Sequence, residues 1–169
     1  MRISAAAERT AGTLEANARI ELRSYLGISE VGVQDVEAGK RPLIRAILRN
    51  SGRTPAKNVK TVYHAAMYPP GIGLLAPLPN DKEPSNGVLG SGDDKLLSIN
   101  LTVDLTNEHV DALRSDALRI YFWGICTFED VFGDTWSVPF QYVRQGPPGA
   151  KLEAMSVCEV GNDYRQQNS

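Results

Sequence analysis

The stretch Asn50-Ser51-Gly52-Arg53-Thr54-Pro55-Ala56-Lys57-Asn58-Val59 separates two runs of alternating polarity. Leu43 to Asn50 leads into it, with Ile44, Ala46 and Leu48 on one face and Leu43, Arg45, Ile47 and Arg49 on the other. Val59 to Met67 leads out. Val59, Thr61, Tyr63 and Ala65 alternate there with Lys60, Val62, His64 and Ala66. A period of two is the mark of a half-exposed strand. Between the runs, Gly52 is free to adopt a positive φ, and Pro55 fixes its own φ and lacks a donor. Asn50 and Ser51 carry side chains that hydrogen-bond nearby backbone. The stretch therefore reads as a loop joining two strands, and it makes the chain a mainly β protein.

Working outward, residues 5–26 are rich in helix formers, with Leu14, Ala18, Leu22 and Leu26 on a narrow apolar stripe and Gly27 placed as a C-cap. Such a helix has three uses: packing on the domain, pairing with a copy of itself, or serving as a stalk. Ile28 to Val36 reads as the first strand, with Val31 and Val33 on one side. Beyond Met67, residues 68–94 hold enough Pro and Gly to deny regular structure. Ile72, Leu74, Leu75 and Leu78 within them are expected to close over one end of the domain. Leu96 to Val103 is a further strand, and Thr106 caps a short crossover helix through Leu113.

The strongest β signal is Ala117 to Phe128. Leu118, Ile120, Phe122 and Cys126 occupy one face, and Tyr121, Trp123 and Ile125 the other. Apolar residues on both sides indicate a central strand, or one whose outer side is covered by the helix or a partner. Glu129 to Asp134 turns the chain into Trp136, Val138, Phe140 and Tyr142, completing a hairpin in which Pro139 marks an edge or a bulge. Leu152 to Val160 is the last strand. The expected architecture is an immunoglobulin-like two-sheet antiparallel sandwich with an N-terminal helix and a short crossover helix. Residues 1–27 form the helical extension, 28–161 the β domain including the long loop, and 162–169 a flexible tail.

Two sequence patterns carry a resemblance. The first is Arg23-x-Tyr25-Leu26-Gly27, followed by Glu37-Ala38-Gly39-Lys40-x-Pro42 and Asn50-x-Gly52-x-Thr54-Pro55-Ala56-x-Asn58-Val59. The second is Gly124-Ile125-Cys126-Thr127-Phe128-Glu129-Asp130-Val131-Phe132-Gly133. Together, over residues 19–145, they resemble a group of uncharacterised bacterial proteins in which a membrane-anchored, Ala-rich helical segment precedes an immunoglobulin-like sandwich. The resemblance implies a membrane-associated protein whose soluble part is the β domain. It implies no catalytic residues.

The chain of 169 residues suits one domain with attachments, and its formal charge of −2 gives no basic field for nucleic acid. Charge is uneven: residues 1–60 carry 11 lysines and arginines against 6 acids, and residues 61–169 carry 7 against 14. No apolar run is long enough to insert directly into a membrane. Cys126 and Cys158 are two free thiols or one bridge. His64 reads as a strand histidine without a nucleophile or acid arranged beside it. Asp93, Asp94 and Asp104 lack the spacing of a calcium loop. The Glu129, Asp130 and Asp134 cluster lies in a tight turn where a glycosidase pair is not expected. No metal, cofactor or catalytic site is expected.

The expected function is a non-enzymatic protein-interaction or sensing domain, partnered by another protein or by itself. Arg53, Tyr121, Trp123 and Tyr142 are the candidate contact residues, aromatics being favoured at interfaces. The alternatives are a hydrolase or carbohydrate-active domain and a structural spacer.

Overall fold

The computed structural model describes residues 5–73, 75, 87–145, 152–163 and 165–166. Its elements are α1 (Ala5–Glu21), β1 (Leu26–Gln34), β2 (Leu43–Asn50), β3 (Lys57–Tyr68), β4 (Asp94–Asn100), α2 (Asn107–Arg114), β5 (Arg119–Glu129), β6 (Thr135–Arg144), β7 (Leu152–Ala154), β8 (Ser156–Val157) and β9 (Arg165–Gln166). All strand pairings are antiparallel. One sheet runs β4-β2-β1-β7; the other runs β3-β5-β6-β8, with β9 also pairing β6. The chain is thus mainly β, with two sheets and two helices among the described residues.

Alternation places the core. Val33, Ile44, Ala46, Leu48 and Leu97 from the first sheet meet Val59, Ile120, Phe122, Cys126 and Phe128 from the second in one buried cluster. Two tyrosine hydroxyls cross between the sheets: Tyr63 donates to the Ser98 carbonyl (3.4 Å) and Tyr142 to the Ile28 carbonyl (3.2 Å). Gly124 is required by packing. A Cβ there would lie 2.7 Å from Phe140 Cζ and 2.9 Å from Tyr63 Cα, and would press on the Val62 carbonyl.

The expected single last strand is two. Residues 152–154 pair with β1, Met155 turns into the core, and residues 156–157 pair with β6, so this segment passes from one sheet to the other. Pro139 lies between the stretches of β6 held by β9 and by β8, where no ladder bond to a third strand is needed. In the tail, Arg165 and Gln166 pair with Ser137 and Trp136. Thr106 caps α2 as expected, and His109 completes the capping box by accepting from the Thr106 N–H through Nδ1 (3.2 Å).

Three expectations are corrected. Among the described residues no sheet closes to give the complete immunoglobulin sandwich; β3 and β4 remain at the ends of their sheets. The N-terminal helix ends at Glu21, and Gly27 lies inside β1 instead of capping the helix. The membrane-anchored helix implied by the resemblance is not what α1 is. Its 17 residues include Glu8, Arg9, Glu15, Arg19 and Glu21, and among the described residues no helix is long and apolar enough to cross a membrane. The membrane-spanning helix that the resemblance implies is therefore not found among the described residues.

Candidate interaction site at the base of the helix

The Asn50–Val59 loop does not turn one strand back on its neighbour. It carries the chain from the first sheet to the second, and on the way it grips the link between α1 and β1. Asn50 is fully buried. Its Oδ1 accepts from the N–H of Tyr25 (3.2 Å) and of Gly52 (3.0 Å); its Nδ2 donates to the carbonyls of Thr54 (2.8 Å) and Leu89 (3.0 Å). Ser51 N–H donates to the Tyr25 carbonyl (2.8 Å), and the Thr54 hydroxyl donates to the Leu22 carbonyl. Gly52 is needed for space and not for its torsion. A Cβ would lie 2.5 Å from Tyr25 N and 2.6 Å from Ser24 Cα. The positive φ in this loop belongs to Asn58, at 51°, where β3 carries a bulge.

The β5–β6 connection supplies the other side of the grip. Asp130 is buried, and its Oδ1 accepts from the N–H groups of Phe132 (2.9 Å) and Asp134 (3.1 Å). Its Oδ2 accepts from Trp136 Nε1 (2.9 Å). This acid shapes a turn and orients an indole. The Arg23 guanidinium lies over that indole, 4.0 Å from the ring centroid, and 4.6 Å from the centroid of Tyr25. Its Nη2 also donates to the Tyr25 hydroxyl (3.1 Å). Cations over aromatic faces are attracted by the ring quadrupole. Arg19 on α1 lies over Phe132 (5.2 Å) and 4.0 Å from Asp134. Arg53 reaches Glu21 at 3.9 Å, both side chains well exposed. The two sequence patterns, far apart along the chain, thus meet at the base of one helix.

Beyond that base the described side chains of α1 are bare. Every described side chain from Glu8 to Leu22 is exposed, Leu14 at 64% and Ile20 at 59%. A helix of this length is marginal in water without packing.

The four candidate contact residues lie in three places. Arg53 is at the helix base. Tyr121 and Trp123 are on the outer face of the second sheet, each 3% exposed. Ile72, Leu75 and Cys158 pack on that face, together with Tyr68. Tyr142 is on the inner face, against the core. The expected aromatic surface is therefore divided between two sides of one sheet, and its outer half is covered by Ile72, Leu75 and Cys158. Leu74 and Leu78 lie outside the described residues. Gln141 ties the cover down: its side chain accepts from Leu75 N–H (2.9 Å) and donates to the Gly73 carbonyl (3.1 Å). Its backbone accepts from Cys158 N–H (2.9 Å) and donates to Asn162 Oδ1 (3.1 Å). A strand position alternating with apolar residues gives no sign of this role.

His64 packs against Trp123, ring centroids 5.7 Å apart. Asp94 makes a two-bond pair with Arg49 (2.7 Å each), which holds its carboxyl below the usual range. Asp104 pairs with Arg41 (2.8 Å), and Asp93 accepts from Gly90 N–H (2.9 Å). These acids do not converge. Both cysteines are free thiols, and burial pushes Cys126 up to about 11. Among the described residues, no three His, Cys, Asp or Glu side chains gather as a metal site would require. Comparison with protein-family models, with curated proteins and with solved structures finds no match to this chain.

Proposed function

We propose that this chain is a non-enzymatic protein-interaction domain in which the β body holds α1 out as its contact element. The observation that supports the reading is the contrast along α1. Its base is gripped by Arg19, Arg23, Tyr25, Asn50 and Thr54, whereas Leu14 and Ile20 stand in solvent. Association orders less when the arm is already aimed. The strand orders β4-β2-β1 and β3-β5-β6 support reading the body as an open variant of the immunoglobulin-like arrangement, although fold alone does not fix function. A spacer would leave the bare apolar side chains of α1 without a purpose. The hydrolase alternative finds no support in the scattered acids and the packed His64.

The test compares the full chain with a Leu14→Asp, Ile20→Asp double variant. Sedimentation velocity over a concentration series and affinity capture are run side by side. The expected result is self-association or a captured partner for the wild type, lost in the double variant while the thermal unfolding of the β body stays in place. Identical behaviour of the two proteins in both assays refutes the reading.

A further inference from the structure

A second surface, independent of α1, lies on the outer face of the first sheet. Ladder register sets one row across its four strands: Ala154 on β7, Gly32 on β1, Arg45 on β2 and Ser98 on β4. Three of these four are small, so the row is a trough. The adjacent row, Glu30, Ile47 and Leu96, forms a partly apolar wall, with Leu96 63% exposed. Residues of both rows line a half-open cavity of about 580 Å³, within the size range of small-molecule sites.

Arg45 is the long side chain of the trough row. Its neighbours along the chain are matched, Arg41 to Asp104, Arg49 to Asp94 and Arg53 to Glu21. Among the described residues Arg45 has no hydrogen-bond or ion-pair partner. An exposed guanidinium beside an apolar wall is suited to an anion with an apolar body, because its planar fork matches a carboxylate. From Arg45 the floor runs over Gly32 to Ala154, two strand spacings or about 10 Å. That length suits a chain of roughly eight carbons lying across the strands.

We infer that this trough binds a free aliphatic carboxylate of medium chain length, its head on Arg45 and its tail over Gly32 against the Ile47 wall. The test is an amide chemical-shift titration of the full chain with octanoate, octanol and acetate. Octanoate is expected to give saturable shifts at Gly32, Arg45, Ile47 and Leu96. Octanol, without the charge, and acetate, without the tail, bind more weakly. Arg45→Met keeps much of the stem and is expected to weaken octanoate by roughly tenfold or more, the scale of one charge-assisted contact. Gly32→Val suits a strand and fills the floor, so it abolishes binding; Arg49→Ala, outside the trough and already paired, leaves affinity unchanged. The proposal fails if octanoate gives no saturable shifts, if octanol binds as well, if Arg45→Met retains the wild-type affinity, or if the shifts map to α1 or to the Tyr121 and Trp123 face.

Discussion

Replacing Asn50 by alanine tests whether the loop that organises the chain is held by one side chain. The amide serves four backbone groups: it accepts from Tyr25 and Gly52 and donates to Thr54 and Leu89. The bonds to Gly52 and Leu89 are buried; the other two are partly exposed. Orphaning a buried group costs about 1–3 kcal/mol, and losing a bond whose partner can reach water costs about 0.5–1 kcal/mol. Water entering the new space offsets part of the sum, so Asn50→Ala should cost about 3–5 kcal/mol. Asn50→Asp separates geometry from shape. It keeps the two accepted bonds but turns an oxygen toward the Thr54 and Leu89 carbonyls and buries a charge, so it should be at least as damaging. Urea unfolding followed by tryptophan fluorescence reads both, with an unchanged m-value showing that stability and not compactness has moved. A loss below about 1 kcal/mol for Asn50→Ala, or wild-type stability for Asn50→Asp, would refute the argument.

Four further outcomes follow from the same structure. Gly52→Ala drives a Cβ onto the backbone of residues 23–25, so it should lower the urea midpoint by the equivalent of about 2 kcal/mol or more despite an ordinary torsion. Asp130→Asn keeps an acceptor for the turn but sets an NH₂ group against Trp136 Nε1; a loss of about 1–3 kcal/mol and a shifted Trp136 emission are expected in the same unfolding assay. Native alkylation at neutral pH should spare buried Cys126 and modify the partly buried Cys158 in preference, as peptide mass spectrometry would show. Because the Cys126 thiol is raised from 9.0 to about 11 in the fold, its contribution to stability is complete below pH 9.0 and is lost as pH rises toward about 11. A Cys126→Ala variant should lack that part of the alkaline loss.

What could be read in the sequence is what period and local chemistry determine. The inward sets Ile44, Ala46, Leu48 and Ile120, Phe122, Cys126 emerge from alternation alone, and Thr106 from its position before a helical run. The capping role of His109 was open to the same local spacing, three residues on. Long-range assembly was not legible. Asn50 could be read as a side chain that bonds backbone, but not as one reaching Tyr25 and Leu89, because those partners are fixed by the packing of two sheets. Tyr121, Trp123 and Tyr142 appear equally aromatic in sequence. Parity puts Tyr142 on the other face, and only the fold shows loop residues Ile72 and Leu75 over the first two. Asp130 reads in sequence only as an acid in a tight turn, since its buried partner Trp136 belongs to the next strand.

Arg23 is where structural and functional roles can be separated. It joins three parts of the chain, lying on Tyr25 from the link and Trp136 from β6, just after the end of α1. Each aromatic contact is worth about 0.5–2 kcal/mol, enough to bias the direction of a helix without deciding whether the two-sheet core folds. Arg23→Ala should therefore loosen the arm while moving the midpoint for unfolding of the β body modestly. Amide relaxation should show faster motion across α1, and binding through Leu14 and Ile20 should weaken although neither residue has changed. Leu14→Asp should do the reverse, removing the contact and leaving the arm's motion as it was. If Arg23→Ala frees the helix and binding is unaffected, then the convergence of Arg23, Tyr25, Asn50 and Trp136 at its base serves the stability of the β body alone, and aiming the arm is no part of what the domain does.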